Sequence, residues 1–366
     1  MNAILENKKV EDNLRGFERP DSERHLNDDI STKIVDGLVK TVSEKFSIAK
    51  EFYKLKAQLL KQEKLEYYER NVESGSVDKE YSYEESAAIV EKVLEGLDKK
   101  FGDIFKRYLD KGLIDVYPKK GKRGGAFCVY VTKSQPAYVM LNHTGRLDDV
   151  ATIAHEMGHA INNEMVKENQ NALNFGISTA TAEVASTFME DFVFEEMAKE
   201  ADDETRLSLM ITKLNSDISS IIRQVACYNF EKELHEKFRE NGFLSKEEIG
   251  KVFQKHMSAY MGDFVKMSPG SENWWVYWSH IRTYFYVYSY ASGLLISKAL
   301  QRKVKQDKGF IENVKKILSS GISKSVEDIF KEVGIELNEE FWEHGLKEIE
   351  DLLNETKELA KKLGKI

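Results

Sequence analysis

The chain has 366 residues, 41% of them hydrophobic and 32% charged, with a formal net charge of −8. That is the balance of an ordinary folded chain with room for a substantial core, and its acidic sign argues against a nucleic-acid partner. No apolar run is long enough to span a bilayer, which argues against a membrane partner. The opening MNAILENKKVEDN lacks the apolar stretch of a secretory signal. Two cysteines, Cys128 and Cys227, without a CxxC pair give no disulfide framework, so a reducing cytoplasm is the expected location.

Four prolines and an abundance of glutamate, lysine and leucine favour long helices. From residue 28 onward apolar positions recur at helical spacing, with Ile34, Val35, Leu38, Val39 and Val42 on one face and Asn27 or Asp28 as caps. The pattern continues as a second helix over 45–69, with Phe46, Ile48, Phe52, Leu55 and Leu59 as its stripe. NVESGSVDKEYS (71–82) reads as a polar break. Ser82 and Glu85 then form a capping box opening a helix to about Phe105. Between 112 and 145 glycines and prolines gather around two β-rich runs, Ala126–Thr132 and Ala137–Leu141, joined by a turn at Lys133–Pro136. This is the one β region the sequence suggests, and helix is expected from Gly145 to the end. The best boundary candidates are 71–82 and 112–125. They divide a helical part, 1–111, from a part, 112–366, that carries the chemistry, the two reading as one continuous domain.

Residues 151–160, ATIAHEMGHA, hold His155, Glu156 and His159 in the pattern His-Glu-x-x-His. On a helix, positions i and i+4 share a face one turn apart, so the two imidazoles can bind one metal ion. Glu156 is rotated beside that pair, where it can act on water as a general base without being a ligand. A short pattern in a glutamate-rich chain also arises by accident, so the rest of a site has to be present. A catalytic zinc takes a third protein ligand. Glu164 and Glu168 sit on or just past the same helix and cannot turn back. Glu183 stands near the start of the next helix among Ala182, Val184 and Ala185, and small neighbours allow close helix contact. Glu190, seven residues on, could hydrogen-bond a ligand histidine from behind, while Asp191, Glu195 and Glu196 read as solvated.

A second cluster lies in WWVYWSHIRTYFYVYSYASG (274–293), where Tyr284, Tyr286, Tyr288 and Tyr290 follow His280. The alternation could also signal a buried strand. Buried phenols need partners, however, and phenol and imidazole are groups that could donate hydrogen bonds to an oxyanion.

Five stretches, GKRGGAF (121–127), PAYVMLN (136–142), DDVATIAHEMGHA (148–160), AEVASTFMED (182–191) and HIRTYFYVYSYASG (280–293), resemble those of the oligoendopeptidase F branch of the thimet oligopeptidase family of zinc metallopeptidases, in order and spacing. The resemblance runs from roughly residue 15 to the end. It implies a mainly α, zincin-like helical catalytic domain with a small β-sheet next to the active-site helix. It implies one Zn2+ held by His155, His159 and Glu183, Glu156 as the base and Glu190 behind the ligands. His280 and one or more of Tyr286, Tyr288 and Tyr290 would contact the substrate carbonyl and the tetrahedral intermediate. The peptide would lie along an edge strand within Gly124–Val131. The implied activity is hydrolysis of short, unstructured oligopeptides; the alternative is a catalytically weak peptide-binding or scaffold protein of the same descent. Two departures stand out. The usual helical region ahead of the matched part is shortened, so a more open groove and a homodimer or second subunit covering the missing wall are expected. Ser279 stands where the family commonly has proline.

Overall fold

The structure, a computed structural model, describes residues 1–72 and 80–366, so most of the expected break at 71–82 lies outside the described residues. The chain divides into two compact units. The first comprises Met1–Ser74, Met210–Leu295 and Leu337–Ile366; the second comprises Gly75–Leu209 and Ile296–Glu336. Among the described residues no helix is long and apolar enough to cross a membrane.

The first unit is helical. Its helices include Asn2–Arg15, Thr32–Glu44, Ser47–Leu59, Arg223–Asn241, Lys246–Met261 and Glu339–Lys362. Each presents an apolar stripe, and Leu38, Phe52, Phe230, Phe253 and Trp342 are wholly enclosed in the core. The helix expected over 45–69 stops at Leu59, because Lys61 takes a left-handed turn with φ 54°. A short strand, β1 (Leu65–Glu66), follows, and it pairs in parallel with a segment two hundred residues away. Such a pairing leaves no local signal. Asn27 and Asp28 do not cap the helix at Thr32: Ser22–Asn27 is a short helix of its own, and Ser31 leads into Thr32–Glu44.

In the second unit the box at Ser82 and Glu85 opens a helix as expected, but that helix, Tyr83–Leu97, stops short of the expected end near Phe105. The chain then breaks at Asp98, whose extended backbone ends that helix while its carboxylate accepts the N–H of Lys100 and starts Lys99–Asp110. The sheet has three strands: β2 (Ile114–Asp115), β3 (Phe127–Val129) and β4 (Tyr138–Met140), in the order β2-β4-β3. β3 and β4 form the expected antiparallel pair; β2, parallel to β4, was not legible in the pattern. β3 is therefore an edge. The glycines before it make the turn, Gly125 at φ 79°, and the Asn142 amide holds it by donating to the carbonyls of Arg123 and Gly125 at 2.8 and 2.7 Å.

The long helix Leu147–Asn169 follows. Asp149 holds its start by accepting the backbone N–H groups of Thr144 and Arg146 at 2.8 and 2.9 Å. Asp148 and Asp149 also oppose the positive end of the helix dipole. The expectation of helix from Gly145 to the end is corrected in two places. A strand, β5 (Val265–Lys266), is the partner of β1. The tyrosine segment forms no strand either: a 3-10 turn at Ser279–Arg282 leads into the helix Tyr288–Gln306 through Tyr284 and Phe285, both left-handed at φ 39° and 55°.

A buried polar network in the first unit holds that turn. The Arg24 guanidinium donates to the Thr283 and Tyr284 carbonyls at 2.6 and 3.0 Å, and Glu231 accepts the Phe285 N–H at 2.9 Å. Burial pushes the Glu231 carboxyl up to about 8, against the pull of that N–H, Arg24 and Lys8, with Asp21 adding to the rise. The fold thus favours the protonated acid. Its stabilisation is complete below the ordinary value of 4.5 and is lost as pH rises through 8. Glu231→Gln, a permanent mimic of the acid, should match the wild type in thermal denaturation near pH 4.5 and become the more stable protein by pH 8. The gap should grow by at most about 1.4 kcal/mol per pH unit. Parallel pH–stability curves for the two proteins would rule out this ionisation as a cause.

Candidate metal centre

His155 and His159 project from one face of the helix Leu147–Asn169, their rings 5.0 Å apart and nearly perpendicular. Glu183 caps the start of the next helix, Val184–Glu200. One of its oxygens lies 3.4 Å from Nε2 of His155 and 3.5 Å from Nε2 of His159. With metal–ligand bonds of about 2.1 Å, the edge of a coordination tetrahedron is about 3.4 Å. Two edges of the required size are thus in place, and the three residues form a group able to hold a metal ion.

The contact between the two helices makes this possible. A Cβ on Gly158 would lie 2.5 Å from the Cα of Ser186 and 2.6 Å from the carbonyl oxygen of Ala185. Only glycine lets the first turn of the second helix come this close. Ser186 then donates to the Glu183 carboxylate at 2.9 Å and fixes its direction. Glu190, two turns along, meets Nδ1 of His155 at 2.9 Å, so in the neutral ring the proton stays on that nitrogen and Nε2 is the one left to bind a metal ion. His159 is held by a hydrogen bond to the backbone of Ala182.

Glu156 lies outside this triangle, buried, with the backbone N–H of Cys128 on β3 as its partner. Burial pushes its carboxyl up, against the pull of His155 and with the negative charge of Glu183 assisting. Burial alone would lower His155, but Glu183 and Glu190 outweigh it and raise the ring to about 10. Burial and the neighbouring His155 lower His159 to about 4. Glu183 is held near 2: its two histidines and Ser186 more than offset its burial. A divalent cation among these groups would drive both imidazoles to their neutral, ligating form.

The other carboxylates are engaged elsewhere. Glu164 pairs with Arg107 at 2.7 Å, and Glu168 pairs with Lys100 at 2.6 Å. Asp191, read from the sequence as solvated, is buried and faces Lys298 at 3.2 Å and Gln301 at 2.9 Å. A lysine from a distant segment is invisible to local patterning.

In the first unit Nε2 of His280 meets the Tyr290 hydroxyl at 3.1 Å, and Tyr286 stacks on the same imidazole at 5.9 Å. Tyr288 is set apart from them. Its ring is enclosed, and its hydroxyl donates to Asp28 at 2.7 Å. Arg24, which anchors the turn ahead of Tyr286, carried no sequence signal. Besides Asp28, its partners are backbone carbonyls more than two hundred residues away.

Fold and site together define a helical protein with a His-Glu-x-x-His pair completed by a carboxylate from the next helix. The sequence pattern of Peptidase family M3 matches residues 1–345, and the chain belongs to that family. It is 27% identical over 356 residues to the chromosomal oligoendopeptidase F of Lactococcus lactis subsp. cremoris, covering 95% of this chain and 58% of that one. It is 27% identical over 341 residues to the oligopeptidase PepF of Bacillus subtilis, covering 92% and 51%. The crystal structure of oligoendopeptidase-F from Enterococcus faecium superposes with a TM-score of 0.74 at 20% identity over 98% of this chain and 58% of that one, a likeness of fold. The chain thus spans between about half and three fifths of the length of these relatives.

Gly158 and Gly96 make a contrasting pair, since a Cβ on Gly96 meets nothing within 4 Å. Gly158→Ala should cost about 1–3 kcal/mol by forcing the two helices apart, whereas Gly96→Ala should stabilise its helix by up to about 1 kcal/mol. Chemical denaturation of both variants checks the signs. A neutral Gly158→Ala would mean the contact is slack.

Proposed function

We propose that this chain carries the catalytic machinery of a zinc-dependent endopeptidase that cuts short, unstructured oligopeptides in the cytoplasm. The observation that carries the reading is the triangle of His155, His159 and Glu183, with edges of 3.4 and 3.5 Å on Glu183, beside a buried carboxylate, Glu156, that is not part of it. Two imidazoles and one carboxylate, without cysteine, are the donors of a catalytic rather than a structural zinc site. Zinc bound there would supply a Lewis acid that polarises a peptide carbonyl and eases deprotonation of water.

The remaining work belongs to the side chains. Glu156 takes a proton from the attacking water and returns it to the nitrogen of the leaving amine. Its buried position, which favours holding a proton between those two steps, supports this role. Glu190 keeps Nε2 of His155 in its ligating form. His280, Tyr286 and Tyr290 are hydrogen-bond donors to the carbonyl oxygen as it gains charge, each worth ~3 kcal/mol of barrier. The mutual contacts of these three rings support grouping them. Tyr288 is better suited to holding Asp28. The edge of β3 offers its backbone to an extended peptide, and Phe127 and Val129 are exposed along it. Strand addition needs an extended backbone, hence the preference for unstructured substrates.

Three comparisons test the reading. Glu156→Gln should lose turnover of a quenched peptide yet keep one zinc per chain by elemental analysis; near-native activity would remove Glu156 as the base. Glu183→Ala should lose the metal while Glu164→Ala keeps it, and the reverse would assign the wrong carboxylate. Tyr286→Phe or Tyr290→Phe should lower kcat by roughly a hundredfold with little change in KM. Tyr288→Phe should instead lower thermal stability, because the buried Asp28 loses one of its donors.

A further inference from the structure

In the first unit two arginines converge on one indole. The Arg223 guanidinium lies 4.4 Å from the centroid of Trp274 and that of Arg70 lies 5.6 Å from it. Arg70 is 6% exposed and stacks 4.0 Å over Tyr67. A five-residue π-helical turn, Ile218–Ile222, directly precedes Arg223, a local distortion frequent at functional positions.

Neither guanidinium has an anionic partner among the described residues. Arg70 donates from Nη1 to the Tyr67 carbonyl at 2.7 Å, but its Nε is buried without an acceptor, and so is the Nε of Arg223. The groups that bear most on Arg223 besides its burial are Cys227, Tyr260, Tyr67 and Tyr53. Burial pushes all four upward, Cys227 to about 11, so each is neutral at pH 7. The hydroxyl of Tyr67 also lacks a partner, while that of Tyr260 is turned toward Tyr53.

Arginine does not shed its proton in a protein. Two positive charges therefore sit in a largely buried cluster with no negative charge against them, surrounded by unused N–H and O–H donors. Buried charges in folded proteins are paired, and clustered unsatisfied donors call for an ion or water. Water would satisfy the hydrogen bonds but leave the charge uncompensated.

We propose that Arg70 and Arg223 hold a small inorganic anion of the halide class, with the hydroxyl of Tyr67 as a further donor. A spherical ion accepts from scattered directions, as this set of side chains requires. The site goes beyond the peptidase reading, and its test needs no turnover.

The full chain is melted in sodium gluconate that is replaced stepwise by chloride or bromide at constant ionic strength, with acetate as a parallel series. The melting temperature should rise saturably with halide, on the order of 2 °C at tenfold excess over Kd. Arg70→Gln and Arg223→Gln should abolish the rise. Crystals grown in bromide should give an anomalous peak within hydrogen-bond reach of both guanidiniums. The proposal is overturned by equal melting in all salts, by a halide effect that persists in both variants, or by stabilisation with acetate alone. If the variants do not fold, the wild-type bromide peak decides: its presence supports the site and its absence removes it.

Discussion

One close approach governs the second unit: the first turn of Val184–Glu200 lies against Gly158, with room for a hydrogen atom and no more. Small residues on the other side, Ala185 and Ser186, complete the contact. Any side chain at Gly158 would move Glu183 away from the two imidazoles it now touches at 3.4 and 3.5 Å. The consequences follow along both helices. Glu190 arrives two turns later at the back of His155, and Glu156, one step round from the histidine face, is sealed against the backbone of β3. A site able to bind a metal ion tolerates errors of a few tenths of an ångström. A rigid helix–helix contact supplies that tolerance better than a loop could.

The first unit solves a different problem, holding a turn that its residues resist. Left-handed backbone at Tyr284 and Phe285 costs about 1–2 kcal/mol per residue. Hydrogen bonds from a charged donor return about 1.5–3 kcal/mol each, and Arg24 makes two of them to consecutive carbonyls. Glu231 adds a third bond from the far side. Together these bonds offset the cost of the turn, so it persists because side chains from two other helices hold it. The same buried network ties Tyr288 to Asp28 and Tyr228 to Asp21, which fixes the start of the helix that carries Tyr290.

Much of this was legible in the sequence because the signals are local. The i, i+4 spacing of His155 and His159, the capping box at Ser82, the two β-rich runs and the small residues around Glu183 each reflect chemistry within one turn of helix or one hairpin. The missing parts depend on distant partners. β1 and β2 are two-residue strands defined only by what they pair with. Asp191 looked solvated because Lys298 and Gln301 reach it from a remote helix. Tyr288 looked like its neighbours Tyr286 and Tyr290 because composition cannot tell a hydroxyl committed to Asp28 from one beside His280.

The central claim is that His155, His159 and Glu183 form a single catalytic metal site. Diffraction recorded above and below the zinc absorption edge, on crystals of the chain supplied with zinc, tests it directly. The account predicts one anomalous peak per chain, about 2.1 Å from Nε2 of both histidines and from a Glu183 oxygen, with Glu156 near the ion but outside its ligands. A peak elsewhere, or no peak among these three side chains at full zinc loading, would contradict it.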